Sequence, residues 1–192
     1  MALAIWIILG SLVEFSDRIK LFRTSFASSF ERMKGLPRSA FGMSIAHIGL
    51  GVVLAGIVSM TAWKEERVQT ASPGETISFS GYEFQFNSVR QVPGPNYGAE
   101  RADFTLIKGN EEITHLLPEK RFYPVQGMTT TEAAIHTTWI SDVYAVVGDK
   151  HDDGSYTVRL YYNPLAPWLW MGSGILALGG FVSLTDRRLR VG

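Results

Sequence analysis

Two long stretches without a single charged residue decide what this chain can become. Residues 40–63 read AFGMSIAHIGLGVVLAGIVSMTAW, which as an α-helix is about 36 Å long. Residues 165–184 are also uncharged and match the thickness of a hydrocarbon core, roughly 30 Å. A helix with no charge on any face has no side to offer water, so each run predicts a transmembrane helix. The competing reading makes both of them buried helices of a soluble protein. Residues 1–15 open on an equally apolar run, but its thirteen residues reach only about 20 Å. That predicts a truncated transmembrane helix whose start at Met1 is artificial or split. It carries no basic n-region and no A-x-A cleavage pattern, so it does not read as a signal peptide.

Lys and Arg orient these runs. Residues 16–39 hold Arg18, Lys20, Arg23, Arg32, Lys34 and Arg38, which predicts a basic link on the cytoplasmic side. Residues 185–192, with Arg187, Arg188 and Arg190, predict a cytoplasmic tail, and 64–164 then lie on the opposite, periplasmic side. Trp63, Tyr161, Tyr162, Trp168 and Trp170 fall where an aromatic belt belongs. Lys plus Arg equals Asp plus Glu, 18 each, so the basic surplus of a general nucleic-acid binder is missing. With no cysteine, disulfides, thiolate nucleophiles, iron–sulfur ligation and cysteine-based zinc sites are excluded. A metal would have to be held by His, Met or carboxylate.

Between the two uncharged runs the pattern changes to period-two alternation punctuated by Gly, Pro, Asn and Asp. Strands are expected at 76–79, 82–92, 101–108, 112–117, 133–138, 143–147 and 156–162. Turns are expected at Ser80-Gly81, Pro93-Gly94-Pro95, Gly109-Asn110 and Asp152-Asp153-Gly154. About seven short strands in this length predict a small all-β domain, a sandwich or an OB-like partial barrel, inserted between the last two helices.

His47 lies about seven residues inside the 40–63 helix, roughly 10 Å from its end, where water cannot satisfy an imidazole. Two readings fit: a ligand to haem iron through one ring nitrogen, or a hydrogen bond to a neighbouring helix. At 100° per residue, Ala40, Met43, Gly51, Leu54 and Val58 share its face, whereas Gly42, Ala46, Gly49, Val53 and Gly56 cluster opposite. The small-residue face predicts close packing of another helix. Gly51 is expected to leave room beside His47 for a flat porphyrin.

The segments GLPRSAFGMSIAHIGLGVVLAGI, EKRFYPVQGMTTTEAAIHTTWISDVYAVVGD and YTVRLYYNPLAPWLWMGSGILALGGFVSLTDRR, with the leading LVEFSDRIKLF, are similar to the C-terminal part of CcmF. That family is the haem lyase subunit of the bacterial System I cytochrome c maturation machinery, and the resemblance covers essentially the whole chain. It implies a multi-pass inner-membrane protein that joins haem, delivered by a CcmE-type haem chaperone, to the thiols of an apocytochrome c. A CcmH-type subunit that holds the apocytochrome and the remainder of CcmF are the further partners it implies. The histidine in GMSIAHIGL is similar to one of the family's two transmembrane histidines that hold a permanent haem b, which makes His47 the cofactor-binding, metal-ligating residue. The WWD segment, its flanking histidines and the first transmembrane histidine of the family are absent from these residues, so the second axial ligand is absent from this chain. The segment is expected to be part of a haem lyase and inactive alone. The rival reading is a membrane-anchored periplasmic β scaffold without haem binding.

His115, His136 and His151 have no spacing that places two on one metal, and surface or structural roles are expected for each. Glu132 lacks a titratable partner nearby in sequence and is expected to serve structure or a partner contact rather than acid/base catalysis. Glu14 and Asp17 sit beside Arg18 and are expected to pair there. No Ser-His-Asp order, phosphate loop or HExxH motif occurs.

Overall fold

The computed structural model describes residues 1–186, so the expectation for Arg187, Arg188 and Arg190 lies outside the described residues. The described residues divide into two compact units, one of helices (1–62 and 165–186) and one of strands (63–164).

In the helical unit, α1 (Ala2–Ile19), α2 (Phe26–Lys34), α3 (Arg38–Ala62) and α4 (Ala166–Leu184) follow in order. Helices α3 and α4 are long and apolar enough to cross a membrane. The expected helix at 1–15 runs further, to Ile19, because Arg18 bonds Glu14 one turn back (2.5 Å). Lys20 closes it in the left-handed region at φ 55°, its N–H donating to the Asp17 and Ser16 carbonyls. The expected pairing of Asp17 with Arg18 is replaced by one with Arg23 (3.2 Å). Residues 16–39 are likewise not a plain link, since α2 forms within them, capped by the Ser25 hydroxyl, which accepts from Ser28 N–H.

Helices α3 and α4 run antiparallel and approach through small residues. A Cβ at Gly49 would lie 2.5 Å from the Leu176 nitrogen and 2.8 Å from the Gly172 carbonyl oxygen. One at Gly172 would meet the Val53 nitrogen at 2.6 Å, and one at Gly56 the Leu165 carbonyl at 3.1 Å. With nothing but hydrogen at these positions, backbone meets backbone. Asp186, just past α4, accepts from the Ser39 N–H (2.9 Å) and satisfies one of the open donors at the start of α3. Helix α1 crosses α3 on a different face, with Ile8 and Ala4 against Gly51 and Phe15 edge-on to Phe41 (5.0 Å).

The second unit has ten strands: β1 (Glu65–Ala71), β2 (Thr76–Phe79), β3 (Tyr82–Pro93), β4 (Gly98–Lys108), β5 (Glu111–Leu116), β6 (Glu119–Tyr123), β7 (Met128–Glu132), β8 (Ala134–Thr137), β9 (Ser141–Lys150) and β10 (Tyr156–Pro164). They pair antiparallel in two sheets, one ordered β1-β10-β9-β8 and the other β2-β3-β4-β6-β7. Two sheets over one core make a sandwich rather than a partial barrel. One edge of β4 serves two partners in succession, Gly98–Arg101 pairing with β6 and Phe104–Lys108 with β5. The core is built from alternating residues of both sheets: Phe84, Phe86, Phe104 and Leu106 from one, Val143, Ala145, Val158 and Leu160 from the other. Phe86 and Phe104 stack at 4.5 Å. A register shift between Phe86 and Ser88 leaves Asn87 as an extra residue, and its amide donates to Thr105 (2.8 Å) and Asp103 (3.3 Å).

Candidate functional site

His47 stands on the face of α3 that neither neighbouring helix covers. Helix α3 covers two of its faces with α4 and α1, and the third is open. Along the open strip lie His47, Leu50, Ile57 and Thr61, all exposed, with Leu54 half-buried. Their 3- and 4-residue spacing makes a single stripe, apolar except for the imidazole and the Thr61 hydroxyl, which donates to the Ile57 carbonyl (2.8 Å).

The imidazole is oriented from within its own helix. Nδ1 lies 2.8 Å from the Met43 carbonyl oxygen. A carbonyl only accepts, so Nδ1 carries the hydrogen, and in the neutral ring Nε2 is left with its lone pair directed away from the helix backbone. That is the preparation a ligating histidine receives: one nitrogen held by a backbone carbonyl, the other available to a metal. The residues present fit one axial position of a haem, with Leu50 and Leu54 supplying apolar surface beside it.

Two sequence expectations for this helix part company here. The face carrying Gly42, Ala46, Gly49, Val53 and Gly56 packs against α4, as its small residues require. Gly51, expected to leave room for a porphyrin, does not: the space in front of it is filled by Ile8 of α1, whose Cγ1 would lie 2.5 Å from an added Cβ, and by the Ala4 carbonyl. Glycine at 51 therefore serves helix packing, and open space beside His47 lies toward Leu50 and Leu54 instead.

The remaining histidines are not brought together. His115 bridges Asp103 (2.7 Å) and Glu112 (3.2 Å) on the face of β4 and β5, His151 bonds the Thr157 hydroxyl (2.9 Å), and His136 sits on the edge strand β8. Among the described residues no group of three or more His, Asp and Glu could hold a metal ion. Glu132 faces Arg121 (3.6 Å) and accepts from Thr130 (3.4 Å), a structural placement. Sequence reasoning missed Glu119, which is nearly fully buried. It accepts from Arg101 (2.6 Å) and Arg121 (2.7 Å), and the Arg121 hydrogen bond above all, then that of Arg101, holds its carboxyl below the ordinary range. The charged run Glu119-Lys120-Arg121 was the available signal, though it reads equally as a solvated strand.

The architecture defines a class: a unit of apolar helices carrying a β-sandwich between its last two members, with a histidine exposed on an open apolar stripe. Residues 62–164 match the family model described as the CcmF C-terminal beta-sandwich. The chain belongs to the CcmF family. It is 41% identical over its whole length to the cytochrome c-type biogenesis protein CycK of Rhizobium meliloti, and 34% identical over 99% of its length to the cytochrome c-type biogenesis protein CcmF of Escherichia coli. The chain spans 28% of the length of each of these relatives. A solved structure titled Cytochrome c Heme Lyase CcmF superposes on 77% of this chain and 25% of its own, with a TM-score of 0.64 at 20% identity, a likeness of fold.

Proposed function

We propose that this chain works in cytochrome c maturation as part of a haem lyase of the bacterial inner membrane, with His47 as one axial ligand of a haem b. In this reading α3 and α4 cross the bilayer, the basic residues 16–39 face the cytoplasm, and the sandwich stands in the periplasm. The observation that carries it is the Nδ1 contact of His47 with the Met43 carbonyl, which frees Nε2 on an otherwise apolar stripe. An imidazole facing hydrocarbon without a partner is costly, and coordination of iron removes that cost.

The chain's own residues do three things. The Gly42, Gly49 and Gly56 face seats α3 on α4 and so fixes the rotation of α3, which aims His47 outward. The Met43 carbonyl holds the imidazole in one tautomer. Leu50 and Leu54 place apolar surface on the same stripe as the imidazole, a setting that suits the iron bond. When bound, the haem would supply electron transfer that keeps an incoming haem competent for thioether formation with apocytochrome thiols. The second axial ligand comes from outside this chain, from the remainder of CcmF. The sandwich is the docking module for the CcmE-type haem chaperone or the CcmH-type subunit that holds the apocytochrome.

The test is His47→Ala in the assembled lyase, followed by the reduced-minus-oxidised spectrum of the purified complex and the yield of c-type cytochrome. Loss of most of the non-covalent haem band, with a fall in yield, is expected. A full haem complement would overturn the assignment and leave the chain as a membrane-anchored β scaffold.

A further inference from the structure

Between α1 and α3 the chain builds a helix whose outer surface is more apolar than a soluble surface tolerates. Phe26 and Phe30 stand one turn apart on α2 and are 81% and 52% exposed, half-buried Met33 continues their face, and Phe22 in the turn before the helix is 88% exposed. Solitary exposed apolar residues need no explanation, but a contiguous row of rings does. Its orientation is fixed: buried Ser29 donates to the Lys20 carbonyl (3.2 Å) and pins α2 to the preceding turn. A small apolar cleft lined by Ile19, Leu21, Phe26, Ser29, Phe30 and Met33 continues the row inward.

The rim of this row is basic. Lys34 lies 4.6 Å over the Phe30 ring, and Arg32 stands beside Glu31 on the polar side of α2 by helical geometry. Between residues 16 and 39 there are six Lys and Arg and two acids, Asp17 and Glu31, with Glu14 just outside the range paired to Arg18. Both acids are taken, Asp17 by Arg23 (3.2 Å) and Glu31 by Lys34 (3.0 Å), which leaves a net positive collar. Place in the fold selects the occupant. Phe15 near the end of α1 packs on Phe41 near the start of α3, so α2 sits at the common end of two antiparallel apolar helices, at the level where a bilayer surface would pass.

We propose that α2 is an interfacial helix that docks on anionic phospholipid headgroups, its phenylalanines entering the acyl boundary and its basic rim meeting phosphates. The inference rests on the reading that α3 crosses a bilayer. Since the chain has no cysteine, single labels are clean: Phe26→Cys, Glu31→Cys on the opposite side of α2, and Leu50→Cys on α3 as the reference. Each variant of this chain, spin-labelled and reconstituted in vesicles of mixed phosphatidylcholine and phosphatidylglycerol, is compared by power saturation with oxygen and with an aqueous nickel chelate. Oxygen should dominate at 26 and 50, and nickel at 31. Adding Arg32→Gln and Lys34→Gln should cut the preference for oxygen at 26 several-fold in mixed vesicles and leave it unchanged in pure phosphatidylcholine. Nickel dominance at 26 with oxygen dominance at 50 overturns the inference alone, as does a label at 26 shielded from both reagents, the mark of a protein cover such as a second copy. Nickel dominance at 50 brings down the membrane reading and the inference with it.

Discussion

Glu119 is buried in a strand because two arginines arrive with it, Arg101 across the β4–β6 pair and Arg121 two residues on. A buried carboxylate without such donors would protonate. The stability this arrangement contributes is present above the ordinary glutamate range and fades as pH falls through the lowered value. His115 titrates the other way. Its hydrogen bond to Asp103 raises it above 6.5, with Glu112 adding to the effect. Its contribution is full below that ordinary value and is lost as pH rises through the raised one. The side chain is half exposed, so the effect is screened and small. His115→Gln should flatten the part of the fall in Tm that sets in as pH rises above 6.5 while leaving the acid limb intact, measured by thermal melts across pH. An unchanged slope would show that another group governs that limb. For His47 the sequence carried the residue and its depth in an apolar run. The bond to Met43 follows from the helix itself, whereas the openness of its face depended on where α1 and α4 came to rest.

At the scale of elements, α3 and α4 are held by what their interface lacks. Gly49→Val puts methyl groups where the Leu176 and Gly172 backbones already stand, so the helices must separate. Overpacking of this kind typically costs about 1–3 kcal/mol. In detergent its melting transition should drop clearly below that of Gly174→Ala on the same pair of helices, where an added Cβ meets nothing within 4 Å. Equal transitions would mean that the close approach is dispensable. Seven strands were legible because alternating apolar residues mark a half-buried face. The three that were not are β1, whose residues are mostly exposed, β6, whose buried position is a glutamate, and β7, the threonine-rich MTTTE. Strand β1 exists because β10 offers it a ladder from Glu65 to Ala71, a partner more than eighty residues away in sequence. The β-branched threonines of β7 were a usable sign of strand that its missing alternation masked.

For the molecule as a whole, the helical unit displays Trp6, Trp170, Phe181 and Leu184, each more than two-thirds exposed. The sandwich keeps its phenylalanine core inside. Such a helical surface is suited to lipid or to other helices, not to water. Diluting the detergent below its micelle threshold should drive the purified chain into large aggregates, followed by light scattering and sedimentation. A monodisperse chain in plain buffer would contradict a membrane position for α3 and α4.

Local pattern settled the two uncharged helices, most of the strands, the turns at Ser80-Gly81 and Gly109-Asn110 and the CcmF resemblance, because each depends on residues adjacent in the chain. Tertiary structure alone decided that α1 fills the space before Gly51, that one edge of β4 is shared by β5 and β6, and that Glu119 goes inside. Those outcomes depend on which distant segment fits a given surface well enough to exclude water from it, and no periodicity records that.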